Sequence, residues 1–430
     1  MRLAIIRQRY TPFGGAERFL ASALEALAER GVTVTLYTRE WTAQRGRIEP
    51  RIVDPFYVGG LWRDSGFVRA VCRAIARDAP ALVQSHERLA CCDIYRAGDG
   101  VHATWLEVRM RHVPPLRALA MRADPRHRHR LAMERRMYAS ARLSAVICNS
   151  KMVRDDIKAR FGLPDERLPV LYNAVDSRVF SPDLRIHRER IRAKYRVPDE
   201  ATLFLLVGSG FRRKGVPVAI AALARLSAPA HLIVVGDDRK PDAYRRIADE
   251  HGVRERVSFV GFQHDVAPFY GAADAFVLPA IYDSFPDAAM EALASGLPVV
   301  TSMKSGAAEL VTENDAGFVC GSRDVAALAE HLRSLQDAGT RSRLGANARR
   351  AVEPLTTDAM TLKLVLLYKG LLEASVAHKM AARAAAAAGP GPATTGEAPP
   401  LHGPDGLDSE TLPASEAEHR PPVSPRSPRR

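Results

Sequence analysis

The chain has 430 residues, 47% of which are hydrophobic, and a formal net charge of +13. This length exceeds one ordinary hydrophobic core and fits two domains with an appendage, and the apolar content excludes a chain that is disordered throughout. The five cysteines lack a Cys-x-x-Cys pair, which argues against a disulfide framework and a zinc site and suits a reducing compartment.

The N-terminal part of the chain alternates strand and helix patterns. Residues 3–6 predict a strand and not a signal peptide, because the apolar run stops at Arg7. A glycine turn, a helical pattern over 16–29 and a strand over 32–37 form a β-α-β unit of a parallel sheet. No apolar run is long enough to span a membrane. Further strands of this part are predicted over 81–84 and 145–148.

A strongly basic stretch, Arg109–Arg136, contains nine arginines and three histidines. Leucine, alanine and methionine residues give the same stretch an apolar side. It predicts either a solvated pair of basic helices or a surface that binds anionic membrane headgroups. At such a surface each basic residue adds about 1 kcal/mol.

A turn-rich connector over 160–176 separates this part from a second series of strands and helices. The strands of that series are predicted over 202–207, 231–235, 257–259, 275–278 and 298–301. The fold class is therefore α/β with two doubly wound domains, which we expect over 1–170 and 171–355. A helix over 356–378 is expected to complete the N-terminal domain. Residues 385–430 are rich in Pro, Gly and Ser and are predicted to be a disordered tail.

The most informative motif covers residues 278–300 and opens at the carboxyl end of a predicted strand. Ser284 is a candidate N-cap, and Pro286 suits an early helical position. A helix that begins there presents unpaired N–H groups and the positive end of its dipole, which suits the binding of a diphosphate. Asp283 and Glu291 could accept hydrogen bonds from the hydroxyls of a sugar and a ribose. Either carboxylate alone is more simply interpreted as a helix cap or an exposed side chain. The two together, with the sequence that follows them, indicate a binding site for a nucleotide sugar.

This motif resembles the E-x7-E region of the family 4 retaining glycosyltransferases. Those enzymes have the GT-B fold, in which two Rossmann-like domains face each other across a cleft. The other segments that are similar to the family, in the same order, are 14–17, 27–34, 148–150, 171–176, 208–215 and 260–262. The segment 208–215 is most similar to the glucosyltransferases of lipopolysaccharide core assembly.

The resemblance implies roles for the matching residues. Glu291 would bind the donor ribose, Asp283 the hydroxyls of the transferred sugar, and Arg213 with Lys214 the departing diphosphate. Asp99 resembles an acidic position near the acceptor and is the fourth catalytic candidate. His86 is a weaker acceptor-side candidate, because a lone histidine after a strand is more often structural. The remaining residues expected at the donor are Gly14, Gly15, Gly261, Ser284, Phe285, Pro286 and Asp287.

Two departures from the family pattern affect these expectations. Asp283 stands where glutamate is usual and Pro286 where glycine is common, which leaves the identity of the donor sugar open. Ser209 and Gly210 replace the usual Arg-Leu, so Arg212 or Arg213 must supply the basic contact beside Lys214. The absence of Gly-Lys-Ser/Thr argues against a P-loop NTPase. No Asp-x-Asp pair is found, and we expect neither a metal nor another cofactor.

We therefore predict a retaining transferase that moves a hexose, glucose from UDP-glucose, to a lipid-linked saccharide in lipopolysaccharide core assembly. No donor-side nucleophile is evident, so a front-face displacement assisted by the leaving diphosphate is expected. The alternatives are another donor sugar, a soluble acceptor, or a non-catalytic protein that binds sugar nucleotides. We expect the protein in the cytoplasm, held on the inner face of the membrane by Arg109–Arg136. Nucleic acid is not an expected partner, because the basic stretch lacks interleaved aromatic residues.

Overall fold

Two parallel six-stranded sheets form the body of the protein. The computed structural model describes residues 2–10, 27–41, 49–227 and 229–387. The chain divides into two units, residues 1–377 and 378–430, and both sheets belong to the first. The described part of the second unit, 378–387, is helical.

The strands are β1 (Arg2–Ile6), β2 (Arg9–Tyr10), β3 (Thr33–Thr38), β4 (Glu40–Trp41), β5 (Glu49–Ile52), β6 (Leu82–Ser85), β7 (Ile94–Arg96), β8 (Ala145–Ile147), β9 (Thr202–Val207), β10 (Ala230–Val235), β11 (Val257–Gly261), β12 (Ala275–Leu278), β13 (Val299–Ser302) and β14 (Gly317–Cys320). The α-helices that lie wholly in the described residues are α1 (Gly59–Asp78), α2 (His102–Met110), α3 (Pro115–Ala123), α4 (Pro125–Tyr138), α5 (Lys151–Phe161), α6 (Arg188–Lys194), α7 (Phe211–Lys214), α8 (Val216–Leu223), α9 (Pro241–Glu250), α10 (Ala267–Ala272), α11 (Asp287–Ala294), α12 (Ala307–Glu313), α13 (Val325–Ser334), α14 (Ala338–Val352) and α15 (Thr357–Ala387). Short 3-10 turns occupy Asp165–Arg167, Pro182–His187 and Arg254–Arg256.

The strand order of both sheets is that of a doubly wound fold. The first sheet runs β5-β3-β1-β6-β7-β8 and the second β11-β10-β9-β12-β13-β14. In each sheet the strand order reverses at the centre. The reversal lies between β1 and β6 in the first sheet and between β9 and β12 in the second. Ligands of open α/β sheets bind outside the carboxyl ends of the strands at such a reversal. The predicted α/β class with two doubly wound sheets is confirmed.

Burial on both faces explains why the central strands are continuously apolar. All six residues of β9 and all six of β10 are buried, as expected for strands covered by helices on two sides. One core surrounds the second sheet, and two further cores lie on the faces of the first.

The helix α15 returns to the first sheet within residues 357–377. Met360 and Leu364 join the same core as Leu3 and Ile5 of β1. Nearby, the Tyr368 hydroxyl donates a 2.7 Å hydrogen bond to Oε1 of Gln84. These contacts attach the C-terminal helix to the N-terminal sheet.

Several elements differ from the sequence prediction or lie outside the described residues. Strands β2, β4, β5, β7 and β14 were not predicted. The first two have only two residues each, and neither β5 nor β7 contains an apolar run longer than two residues. Of the helix predicted over 16–29, only residues 27–29 are described, and they are helical. The tail predicted over 385–430 lies outside the described residues from 388 onward.

Cysteine pairing corrects one part of the sequence analysis. Cys72 of α1 and Cys91 form a disulfide, whereas Cys92, Cys148 and Cys320 are buried thiols. The cysteines were spaced too irregularly to indicate this pair. Cysteine usage therefore no longer supports a reducing compartment.

The basic stretch Arg109–Arg136 forms the end of α2, the whole of α3 and most of α4. Helix α3 buries none of its residues, and its Leu116 and Leu119 side chains are 84% and 65% exposed. The stretch is thus a charged helical surface that carries exposed leucines. Among the described residues, no helix combines the length and the apolar character that a membrane span requires.

Candidate active site

A cavity of about 610 Å³ lies between the carboxyl ends of the two sheets. Much of its wall comes from residues that follow strands, where a doubly wound fold is expected to bind ligands. The first sheet and the residues that follow it contribute Arg7, His86, Arg96, Gly98, Asp99, Trp105, Asn149 and Asn173. The second sheet contributes Gly208, Ser209, Arg213, Lys214, Tyr282, Asp283, Ser284, Phe285, Pro286 and Asp287.

Three of the predicted catalytic residues meet in one ionic cluster. Nζ of Lys214 lies 2.7 Å and a guanidinium nitrogen of Arg213 lies 3.1 Å from Oδ2 of Asp283. Burial by itself raises the pKa of the Asp283 carboxyl, but the two cations outweigh that effect and bring the pKa below its ordinary value. Asp283 is therefore ionised at neutral pH, with two cations on one of its oxygens.

The turn after β9 holds Lys214 against the backbone. Gly208 has a φ of +149°, and a Cβ there would lie 2.7 Å from Cε of Lys214. A side chain at residue 208 would thus displace the lysine, which explains the glycine at this position. The close packing fixes the ammonium group beside Asp283.

The structure distinguishes between Arg212 and Arg213, which the sequence left open. Arg213 contacts Asp283 and lines the cavity, whereas Arg212 donates a 3.4 Å hydrogen bond to the His112 carbonyl at the end of α2. Arg213 is therefore the residue in position to act with Lys214.

The start of α11 corrects the predicted N-cap. The helix begins at Asp287 with Pro286 as its N-cap residue, and no side chain caps it. Ser284 lies two residues further back and donates to the Gly98 carbonyl, while Nδ2 of Asn149 lies 3.3 Å from its Oγ. The serine is occupied by contacts to the first sheet, which a local capping pattern does not reveal.

A hydrogen-bonded chain crosses the cavity from the first sheet to α11. A guanidinium nitrogen of Arg96 donates to Oδ1 of Asn173 at 2.8 Å, and Nδ2 of Asn173 donates to Oδ1 of Asp287 at 2.7 Å. Burial lowers the pKa of Arg96 to about 10 and raises that of Asp287. The sequence analysis gave no role to Arg96, Asn149 or Asn173. The sequence feature that could have indicated a role for Arg96 is its position as a charged residue at the end of a short apolar segment.

Two predicted donor residues lie outside the lining of the cavity. Glu291, in the middle of α11, is only 7% exposed, and its Oε2 accepts a 2.8 Å hydrogen bond from the Tyr270 hydroxyl. Gly261 ends β11, and its carbonyl accepts from the Gly236 amide at 2.9 Å. Their roles at the donor stay predictions. Gly14 and Gly15 lie outside the described residues.

The acceptor-side candidates lie on the opposite wall. The His86 ring lies 3.2 Å from Nε2 of Gln84, and burial together with Arg7 and Arg96 brings the His86 pKa well below its ordinary value. The imidazole is therefore neutral at physiological pH. Asp99 lines both the cleft and a second cavity of about 310 Å³ in the N-terminal half. It thus stands where a molecule held by that half would approach the donor side.

The chain is similar to known proteins in sequence and in fold. The family model described as "Glycosyltransferase Family 4" matches residues 13–179, and the one described as "Glycosyl transferases group 1" matches residues 187–351. The lipopolysaccharide glucosyltransferase WaaG of Escherichia coli is 27% identical over 325 residues, which are 74% of this chain and 85% of WaaG. The D-inositol 3-phosphate glycosyltransferase of Corynebacterium glutamicum is 26% identical over 409 residues, which are 86% of this chain and 96% of that enzyme.

The crystal structure of WaaG superposes with a TM-score of 0.74 at 25% identity and covers 86% of this chain and 100% of WaaG. The GT-B fold that the resemblance implied is thereby confirmed.

Proposed function

Because this chain belongs to the family 4 glycosyltransferases, we propose that it transfers glucose from UDP-glucose to a lipid-linked saccharide of the lipopolysaccharide core. The observation that carries the proposal is the cluster of Lys214, Arg213 and Asp283 on the donor side of the cleft. Two cations beside one carboxylate suit a donor that presents a diphosphate next to sugar hydroxyls. The name of the relative WaaG supports glucose as the sugar.

In the proposed reaction, the anomeric configuration is retained. The acceptor oxygen forms a bond to the anomeric carbon on the face from which the diphosphate leaves, and the departing oxygen takes the acceptor proton. Lys214 and Arg213 stabilise the negative charge that grows on the diphosphate as its bond to the sugar breaks. Asp283 then serves to orient the hexose through its hydroxyls.

We further propose that the basic surface Arg109–Arg136 holds the enzyme on anionic lipid. The exposed Leu116 and Leu119 of α3 support this, because an interfacial helix combines apolar and basic side chains. Sedimentation with vesicles that contain phosphatidylglycerol tests it at physiological salt. Protein that stays in the supernatant at every lipid concentration would leave the soluble-acceptor alternative.

A second candidate function is transfer to a small soluble acceptor that carries a phosphate. The relative from Corynebacterium glutamicum favours it, since it matches a larger share of both chains than WaaG does and is named for inositol phosphate. The donor side of the proposal is the same in both cases.

Calorimetric titration tests the donor proposal. UDP, UDP-glucose, UDP-galactose and UDP-N-acetylglucosamine are titrated into the native chain, into Glu291→Ala and into the control Glu330→Ala, whose side chain is exposed on α13. We expect UDP binding that is weakened in Glu291→Ala alone and strongest sugar binding for UDP-glucose. UDP binding without transfer or donor hydrolysis would instead indicate a non-catalytic sensor. No binding of uridine nucleotides would refute the proposed donor.

A further inference from the structure

Another cavity, of about 360 Å³, adjoins the donor cleft between the end of α2 and the turn that contains α7. It shares Trp105 and Arg213 with the cleft, so the two spaces are neighbours. The lining residues are Trp105, Arg109, His112, Val113, Gly210, Arg212, Arg213, Asp238 and Ile281. The volume lies within the range of about 300–1,000 Å³ that is usual for small-molecule sites.

Arginines from both halves of the protein converge on this cavity. The guanidinium carbon of Arg109 lies 4.9 Å from the centre of the Trp105 ring. Arg212 reaches from the other half to the His112 carbonyl, and Arg323 lies 3.4 Å from Nδ1 of His112. Within the residues that the structure describes, no carboxylate comes within 4.0 Å of Arg109, Arg212 or Arg323.

In the described part of the chain, the acidic residue of the lining, Asp238, forms no ion pair with these arginines. Asp238 already accepts hydrogen bonds from the Phe211 amide at 2.8 Å and the Lys240 amide at 3.0 Å. Burial and the neighbouring Arg212 and Arg117 lower the pKa of Arg109, as expected where like charges face one another. An anion placed between Arg109 and Arg212 would relieve this repulsion.

We propose that the cavity binds a phosphate group carried by the acceptor. A guanidinium group matches phosphate oxygens with two parallel hydrogen bonds, and Arg109 and Arg212 present one such group from each half. The Trp105 face offers a surface for a sugar ring next to the phosphate. The inference rests on the proposed function for the existence of an acceptor. It adds that the acceptor is phosphorylated, on its saccharide or on its lipid headgroup.

The test measures phosphate binding with the donor site already occupied. The full chain is saturated with UDP, and inorganic phosphate and glucose 6-phosphate are then titrated calorimetrically. Arg109→Gln and Arg212→Gln are compared with Arg185→Gln, which removes the same charge at an exposed position outside the cavity lining. All three replaced side chains are exposed, so folding is expected to be kept. Binding of all variants to vesicles of phosphatidylcholine and phosphatidylglycerol is measured in parallel.

We expect glucose 6-phosphate to bind about fivefold more weakly to Arg109→Gln and to Arg212→Gln than to the native chain, with Arg185→Gln unchanged. That result assigns the phosphate to a saccharide. If only vesicle binding weakens in the two cavity variants, the subsite takes the phosphate of a lipid headgroup. If neither ligand distinguishes these variants from Arg185→Gln, the subsite does not exist. Intact UDP binding and phosphate binding without sugar transfer would overturn the proposed function and leave the subsite in place.

Discussion

Nζ of Lys214 lies 2.7 Å from Oδ2 of Asp283, and both residues are only 8% exposed. The cation expected to meet the donor diphosphate is therefore already paired with the carboxylate expected to meet the donor sugar. An incoming donor has to share this pair and does not meet a free cation. Removing either partner leaves a largely buried charge without its nearest counter-charge.

This pairing lets stability and catalysis be separated. Lys214→Met is expected to lower the free energy of unfolding by about 3 kcal/mol, because it leaves Asp283 without its nearest cation. The double variant Lys214→Met with Asp283→Asn should recover most of that stability. Sugar transfer should stay reduced about a hundredfold or more in both, since the charge that stabilises the leaving diphosphate is missing. Chemical denaturation and initial rates measure the two quantities.

The control is Lys363→Met, which removes an exposed lysine of α15 and should leave both quantities unchanged. A double variant that regains full transfer would contradict the role given to Lys214. A single variant as stable as the native chain would contradict the buried pairing.

The buried carboxyl of Asp287 is expected to make the fold less stable as the pH rises. Burial raises its pKa above 3.8, and Asp283 adds to this, although Asn173 opposes it. Because the folded-state pKa is the higher one, the ionised carboxylate destabilises the fold above that pKa, and the cost disappears as the pH falls toward the unfolded value. Asp287→Asn, whose amide oxygen can still accept from Asn173, should therefore be more stable than the native chain at neutral pH. This advantage should vanish at about pH 4.

Asp283→Asn provides the comparison of opposite sign. The pKa of Asp283 is lowered in the folded state, so its carboxylate stabilises the fold above about 3.8, and this contribution is lost as the pH falls below that value. Urea unfolding of the native chain and both variants across this range gives the three curves. Equal pH dependence for the two variants would show that the carboxyls do not differ as described.

The residues of the ionic cluster were predictable from sequence because their signals are local. Arg213, Lys214 and Asp283 each follow an apolar strand at a turn, and their spacing lies within single short segments. The chain Arg96–Asn173–Asp287 was not predictable, because its partners are 77 and 114 residues apart. A contact that forms only when two sheets face each other cannot be predicted from a local sequence pattern.

The predicted cap shows how tertiary contacts override a local preference. A serine two residues before a proline at the start of a helical pattern is a good capping candidate. However, Ser284 donates to the Gly98 carbonyl, and the helix begins at Asp287. The central strands of both sheets were predicted correctly because their apolar runs are long. The strand β7 was missed because only two of its three residues are apolar, whereas the equally short β8 is apolar throughout.

Tyr270 is expected to position Glu291 for the donor. Its hydroxyl donates to Oε2 of Glu291 at 2.8 Å and lies 3.1 Å from the Ala288 carbonyl. Tyr270→Phe removes the hydroxyl that donates to the Glu291 carboxylate, so UDP binding should weaken about fivefold. The donor KM should rise with little change in kcat, because the residue does not touch the reacting atoms. Tyr138→Phe is the control, since the Tyr138 hydroxyl is buried without a described partner. Equal UDP affinities of the two variants would contradict the positioning role.

Transfer is expected to need no added divalent metal. Lys214 and Arg213 can supply the positive charge that a metal–diphosphate complex would otherwise provide. Initial rates after treatment with EDTA should match untreated rates, and added Mg²⁺ should not increase them. A loss of transfer in EDTA that Mg²⁺ restores would show that the cation is required.

Gly100 and Tyr282 join the two halves of the protein closely enough that no side chain fits at residue 100. Gly100 has a φ of +67°, and a Cβ there would overlap the Tyr282 hydroxyl, which accepts a 3.2 Å hydrogen bond from the Val101 amide. Gly100→Ala therefore combines an unfavourable φ, which costs about 1–2 kcal/mol, with a steric clash. Gly162→Ala isolates the first effect, because Gly162 has a φ of +66° and nothing within 4 Å of a Cβ.

We expect Gly100→Ala to lose clearly more unfolding free energy than Gly162→Ala. Adding Tyr282→Phe should recover part of the loss, because the overlapping oxygen is gone while two ring carbons stay 3.0 Å from the Cβ. Denaturant unfolding of the four variants measures these free energies, with Tyr282→Phe alone as the reference for the double variant. The difference between the two losses is the energetic cost of the clash. If both alanine variants lose the same stability, the halves meet less closely at residue 100 than described. If the tyrosine change gives no recovery, another contact limits the space at this residue.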